Sequence, residues 1–279
     1  MSDAAPASDT EFEDGRYLYC VVRVDDDAEF DVEGIEDEPV HVVTDGALGA
    51  VVHRCDSLYD SDDPTTLKRW LLAHQRVIDA AADAFGTPLP VRFDTVLTGD
   101  DGVVRNWLRE SDAELRDALD ELAGLREYRI EVRRDYDALA DRLAETDDRL
   151  GELRTRKEES GEGTGFLVGK QYEQRLDDLV RDHRETEAED IAERLARYAD
   201  RIRRLGENRS ASLVGAESDD DDSTVSVRFA ILAPLDREDD VGAILDDIAA
   251  EDGVEVRFSG PWPPYTFAPE LDDLEGASP

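Results

Sequence analysis

Apolar and polar positions along this chain alternate between two periods, and the points where the period changes mark its elements. Residues 16–24 (RYLYCVVRV) concentrate aromatic and β-branched side chains and predict a strand. Residues 40–43 and 47–54 flank Thr44-Asp45-Gly46, whose Asp-Gly pair supplies the positive φ of a tight hairpin. From Asp63-Pro64 the period turns helical, with Leu67, Trp70, Leu71, His74, Val77, Ile78 and Ala81 on one face. Asp63 or Ser61 can cap this helix, Pro64 suits its first turn and Gly86 ends it. Residues 87–97 (TPLPVRFDTVL) predict a strand with prolines at its start, and residues 100–122 a helix burying Val103, Val104, Trp107 and Leu108.

Residues 125–133 alternate Tyr128, Ile130 and Val132 with charge and predict another strand. Two long helical stretches follow, 135–159 and 168–205, with glycines at 160–165 to turn between them. Narrow seams (Leu139, Leu143, Leu150 and Leu153 against Tyr172, Leu176, Leu179, Ile191, Leu195, Ile202 and Leu205) predict an antiparallel helical hairpin. Acid–arginine pairs four apart, such as Glu145 with Arg149 and Asp177 with Arg181, read as solvated faces worth about 0.3 kcal/mol each. Strands at 210–216 and 224–235, a helix at 237–250 and a strand at 253–259 complete the order. The expected class is α+β, with two α/β domains. The second is ferredoxin-like, its first crossover enlarged into the helical hairpin. The expected bounds are a disordered stretch at 1–15, an N-terminal domain at 16–123, a C-terminal domain at 124–269 with its hairpin at 135–206, and an acidic tail at 270–279.

Charge changes the picture: 71 acidic residues stand against 32 basic ones, a formal −39, and only Lys68, Lys157 and Lys170 are lysine. Such a field repels itself in dilute buffer, whereas molar salt shortens the screening length to roughly 3 Å. The composition therefore suits a salt-rich cytoplasm. Acid spreads from Asp3 to Glu275 where a nucleic-acid mimic would gather it on one face, and nucleic acid and anionic membranes are poor partners for it. The first 15 residues lack a basic and apolar leader, and the longest run without a formal charge, 258–269, is short and holds four prolines. A cytoplasmic protein without a membrane span is expected. Cys20 and Cys55 fall in predicted strands and read as buried thiols.

Candidate chemistry is sparse. Residues 161–170 (GEGTGFLVGK) imitate a phosphate loop, but Thr164 stands where glycine is required and Gln171 where Ser or Thr is required. Asp25, Asp27 and the Asp219–Asp222 run suggest a calcium loop, yet Phe30 or Thr224 occupies the position of the turn glycine. His41, His53, His74 and His183 lie on separate elements without metal-ligand spacing, so no cofactor, metal, small-molecule substrate or catalytic residue is expected.

The densest signal is Gly260-Pro261-Trp262-Pro263-Pro264-Tyr265-Thr266-Phe267, stiff proline-rich backbone directly behind a strand. Such a piece is expected to leave the sheet and to present its aromatics as a clamp or plug. With Leu18-Tyr19-Cys20-Val21-Val22, Gly34-Ile35, Pro39-Val40, His74, the run Leu89-Pro90-Val91-Arg92-Phe93-Asp94-Thr95-Val96 and Gly163-Thr164-Gly165-Phe166-Leu167 before Gln171 and Arg175, it resembles the F/L family of accessory gas vesicle proteins. Cys20 and Asp94 stand where that family would carry glycine, and the length is more similar to the L type.

The resemblance implies a non-enzymatic role in building the gas vesicle, a protein-walled buoyancy compartment. The implied partners are the small hydrophobic shell protein and other accessory proteins, with the chain in the cytoplasm or on the vesicle. Leu89, Pro90, Arg92, Phe93, Gly260, Pro261, Trp262, Pro263, Tyr265 and Phe267 become the candidate structural or partner-contact positions. The first domain's sheet edge or the C-terminal aromatics would make that contact. An acidic ferredoxin-like module related to nucleic acid is the alternative.

The charge makes one direct prediction. Circular dichroism is expected to show unfolding on dialysis from molar KCl into dilute buffer, and a native spectrum there would contradict the salt-adapted reading.

Overall fold

The computed structural model describes residues 11–24, 30–206 and 225–269. Its described residues divide into two compact units, one of residues 11–127 and 261–269, the other of 128–206 and 225–260.

The first unit contains strands β1 (Glu11–Arg23), β2 (Val32–Glu33), β3 (Pro39–Asp45) and β4 (Leu48–Ser57), helix α1 (Pro64–Phe85), short strands β5 (Leu89–Pro90) and β6 (Val96–Thr98), and helices α2 (Asp101–Glu110) and α3 (Asp112–Leu122). The sheet runs β2-β3-β4-β1-β5, with β6 also on β1. Gly46, at φ 62°, turns the β3–β4 hairpin as its sequence demands. Asp63 accepts hydrogen bonds from Thr65 N and Thr66 N at the start of α1, and Gly86 follows its end. α1 covers one sheet face with Ala73, Val77, Ile78 and Ala81; α2 and α3 pack on β3, β4 and β1 with Val104, Trp107, Leu108, Leu115, Leu119 and Leu122 buried. With both faces covered, β4 is buried continuously from Leu48 to His53.

Three expectations change here. Residues 11–15, expected to be disordered, belong to β1, where Glu11 pairs with Ser57 and Gly15 with Cys55 and Thr98. The strand expected at 87–97 is broken, because Asp94 has φ 65°, a left-handed conformation no strand accommodates. The helix expected at 100–122 is two helices, with buried Ser111 ending one and starting the next.

The second unit takes strand β7 (Leu125–Arg134), helices α4 (Tyr136–Thr146), α5 (Asp148–Glu158) and α6 (Glu162–Leu195), strands β8 (Arg201–Leu205) and β9 (Val225–Pro234), helix α7 (Glu238–Ala249) and strand β10 (Val254–Trp262). Its sheet order is β10-β7-β9-β8. Tyr128, Ile130 and Val132 of β7 and Val227, Phe229 and Ile231 of β9 meet Ala188, Ile191 and Leu195 of α6 and Val241, Leu245 and Ile248 of α7 in one core. α4 and α5 run out and α6 returns along them; Asp147 caps α5 and binds Arg175 Nη2 at 2.7 Å, fixing the joint.

The hairpin differs in detail from the expected 135–206. Its return helix already starts at Glu162, so Gly163 and Gly165 lie within a helical turn. It ends at Leu195, and Arg201–Leu205 is a strand. Ile202 and Leu205 fit a helical seam by spacing, but pairing of Ile202 with Ile231 and of Leu205 with Arg228 decides the outcome. The strand expected at 210–216 lies outside the described residues. β10 continues through Pro261 and Trp262, against the expectation that proline would stop it, because β10 is an edge strand and an absent donor there breaks no ladder. On the hairpin Arg149 pairs with Glu152 (2.8 Å) and Arg181 with Asp178 (3.2 Å), three apart, and pairs at the spacing of four form at Arg116 with Asp112 (2.8 Å) and Arg194 with Asp190 (3.9 Å).

Arg134 ends β7 with its side chain only 7% exposed, held between Glu187 of α6 (Nε–Oε1 2.8 Å) and Glu251 (Nη2–Oε2 2.9 Å). Removing the cation takes from the nearly buried Glu187 carboxylate the guanidinium that it binds. Arg134→Leu is expected to cost about 3 kcal/mol or more in chemical unfolding at molar KCl, and adding Glu187→Leu is expected to recover much of that loss. Equal stability of Arg134→Leu and the parent would refute this account.

Candidate functional site

β1 carries a bulge between Leu18 and Cys20, and this irregularity organises the first unit. Tyr17 before it and Tyr19 within it face α1; after it the phase shifts and Cys20, Val22 and Val24 join the same cluster. Both tyrosines therefore sit in one fully buried layer, ring centroids 4.9 Å apart, with His53 stacked 5.0 Å from Tyr17.

A buried hydroxyl or imidazole without a partner is costly, so the direction of each bond follows from its neighbours. The Val91 carbonyl can only accept; His74 Nε2 therefore carries the proton and donates to it at 3.1 Å. His74 Nδ1 then accepts from Tyr17 Oη at 2.9 Å, and Tyr17 Oη accepts from Asp94 N at 3.0 Å. A second chain runs parallel: Ile35 N donates to Tyr19 Oη (3.0 Å), Tyr19 donates to His53 Nδ1 (2.7 Å), and His53 Nε2 donates to Tyr59 Oη (2.9 Å). Tyr59 N in turn donates to Asp94 Oδ1 at 2.8 Å, joining the two chains. Burial holds both imidazoles neutral, lowering His53 and His74 each to about 4, and pushes the Tyr17 and Tyr19 hydroxyls above their usual range.

Gly34 belongs to this frame for steric reasons. A Cβ there would collide with Tyr19 Oη and come within 2.9 Å of Val40 Cγ2. Asp94 serves the frame by conformation and by chemistry, since aspartate tolerates its left-handed φ and the carboxylate receives Tyr59 N.

The sequence-identified positions fall around the same frame. Leu89 and Pro90 are buried against Val21 and Cys20 of β1, and Phe93 sets its ring edge-on to Tyr17 (6.1 Å) and His74 (5.8 Å). Arg92 is exposed on the turn. From Pro261 the chain folds back on the first unit as a strap. Pro263 and Pro264 are buried, and Tyr265 packs on the core cluster and donates to Gln75 Oε1 of α1 at 2.8 Å. Thr266 gives N (2.6 Å) and Oγ1 (2.7 Å) to Glu127, a fully buried carboxylate. Trp262 and Phe267 are half-buried, and Gly260 precedes the strap at φ 137°. Sequence reading missed Gln75, Glu127 and the tyrosine–histidine chains; the pair Tyr17/Tyr19 opposite a histidine on an apolar helix face was the available signal.

Other groups offer little chemistry. Cys20 and Cys55 are free buried thiols, with Cys55 pushed up to about 11 by burial. Among the described residues no cluster of three or more His, Cys, Asp or Glu is placed to hold a metal. A cleft of about 270 Å³ in the second unit is lined by Arg134, His183, Glu187, Arg194 and Glu251; Arg134 binds Glu187 and Glu251, Arg194 reaches the Ile244 carbonyl, and His183 Nε2 is buried without a hydrogen-bond partner. No helix among the described residues is long and apolar enough to cross a membrane.

The family model of the gas vesicle synthesis protein GvpL/GvpF matches residues 15–269, spanning both units and the strap. The chain belongs to the GvpL/GvpF family. Among curated proteins it is 44% identical to gas vesicle protein L1 of Halobacterium salinarum (92% of this chain, 91% of that one) and 43% identical to L2 of the same organism (97% of each). Gas vesicle protein L of Haloferax mediterranei is 36% identical, covering 92% and 88%. Crystal structures of GvpF from Anabaena sp. PCC7120 (TM-score 0.75) and Microcystis aeruginosa (0.66) share the fold at 19% identity, covering 92% and 91% of this chain and 99% of each of theirs. GvpL/GvpF members thus include proteins of halophilic archaea, in keeping with the acidic composition.

The neutral imidazoles give a pH signature. A histidine at 6.5 unfolded and about 4 folded costs nothing above pH 6.5, and its penalty grows as pH falls through that window. Comparing the parent with His74→Gln, which cannot titrate, the parent's stability advantage is expected to shrink by about 2–3 kcal/mol between pH 7 and 4.5. Parallel stability profiles would refute the buried neutral assignment.

Proposed function

We propose that this chain is a non-enzymatic accessory protein of gas vesicle assembly that binds the small hydrophobic shell protein and other accessory proteins, and keeps the shell protein dispersed until it joins the wall. The observation that carries the reading is family membership over residues 15–269. A holding role suits the molecule. The polar groups of the tyrosine–histidine frame are consumed by one another, and a −39 body repels its neighbours, which favours dispersion of an apolar cargo. The site of action is the cytoplasm and the growing vesicle. No nucleic acid, membrane or small-molecule substrate enters this role.

Within this reading the second unit is a ferredoxin-like split βαβ with an enlarged first crossover, supported by the sheet order β10-β7-β9-β8. The strap residues Pro261, Trp262, Pro263, Tyr265 and Phe267, with Leu89, Pro90 and Phe93, act structurally by closing the first unit. To Arg92, exposed on its turn, we assign the contact with a partner.

A tagged pull-down from cells expressing the whole vesicle gene cluster, in molar KCl, tests the role. The shell protein and further accessory proteins are expected to be recovered with the bait. A folded bait that recovers neither, together with normal vesicles in a deletion strain, would refute it.

A further inference from the structure

Phe166 and Leu167 are neighbours in sequence and the most exposed large apolar side chains among the described residues, at 64% and 63%. They lie in the second turn of α6, at the tip of the helical hairpin. The α6 residues that enter the second unit's core begin at Ala188, 22 positions on, which at 1.5 Å per residue is about 33 Å away. The hairpin thus carries an apolar pair far from the core that could have buried it.

Charge at the tip departs from the rest of the chain. Residues 154–171 hold four basic residues, Arg154, Arg156, Lys157 and Lys170, against three acidic ones, Glu158, Glu159 and Glu162, in a protein of net −39. Two of its three lysines are here. The Lys170 ammonium stands 5.6 Å from the Phe166 ring centroid, a cation–π distance, and around Gly161 and Gly163 there is open space where a side chain would be. The acidic field that repels other molecules elsewhere is neutralised where the apolar pair protrudes.

We infer that this tip is the docking point for an apolar protein surface with an acidic rim. On the reading of function above, that partner is the shell protein before its incorporation. Phe166 and Leu167 enter its apolar surface, and Arg156, Lys157 and Lys170 meet its rim. A lipid surface is disfavoured because a tip of net +1 does not offset −39 at an anionic bilayer.

The test is a quantitative pull-down in molar KCl from cells expressing this full chain with the shell protein alone. It compares the parent with Phe166→Ser/Leu167→Ser and with Lys157→Glu/Lys170→Glu, after circular dichroism and melting have shown each variant folded. Both variants are expected to recover about tenfold less shell protein, or less still. Undiminished recovery by both folded variants overturns the tip assignment and leaves the assembly role standing, whereas no recovery even by the parent overturns both. Binding to vesicles of phosphatidylglycerol and phosphatidylcholine that the serine variant loses, or a dimer in analytical ultracentrifugation that the serine variant abolishes, also overturns it, assigning the tip to lipid or to self-association.

Discussion

The first unit depends on the requirement that buried polar groups be satisfied in a fixed direction. Strand alternation puts Tyr17 and Tyr19 in one layer beneath α1, but they could not remain buried there without His74 and His53 to receive their protons, and the bulge in β1 brings Cys20, Val22 and Val24 into the same cluster. From this follow the tautomers of both histidines, the exclusion of a side chain at position 34, and the left-handed turn at Asp94, which supplies one chain with its N–H and the other with its carboxylate. The turn in its turn divides β5 from β6 and aims Phe93 at the tyrosines. The break between β5 and β6 is thus tied to this frame.

Electrostatics imposes the opposite pressure at the surface. Carboxylates outnumber basic residues by more than two to one, and part of the arginine complement is drawn into structural contacts: Arg16 with Asp14 and Asp101, Arg134 with Glu187 and Glu251, Arg133 and Arg228 with Glu131. Guanidinium suits these places because its planar fork satisfies several oxygens at once. Such partly buried pairs are screened less by salt than exposed ones, so they persist under the conditions that make the acidic surface tolerable.

Local signals made much of the fold legible. The Asp45-Gly46 turn, the Asp63 cap and the Gly86 end of α1 are each decided by residues a few positions apart, and each stands where the sequence places it. What escaped is set at long range. The strand at Arg201–Leu205 imitates a helix seam until Ile231 fixes its register. The strap was recognisable from its prolines, but its destination rests on Gln75 and Glu127, 190 and 139 positions away, neither of which announces itself. Asp94 showed only as an aspartate where the family resemblance led one to expect glycine; its backbone angle explains why glycine would serve there, and its carboxylate explains what aspartate adds.

These constraints also narrow how the molecule can act on others. The imidazoles of His53 and His74 and the phenols of Tyr17 and Tyr19 lie beneath the sheet and helix layers, bonded to one another or to their neighbours, and Cys20 and Cys55 are buried free thiols. Of the aromatics expected to clamp a partner, Tyr265 donates to Gln75 of the chain's own α1, and the adjacent Thr266 is bonded to Glu127 of β7. Recognition must then come from shape and from the balance of charge and apolar area on the surface. Over most of that surface the balance favours repulsion; at the end of the α5–α6 hairpin two large apolar side chains sit among nearly equal numbers of cations and anions. For the role proposed above, confining attraction to one small, distant place is an advantage, because a larger apolar patch would bind other copies as readily as a cargo.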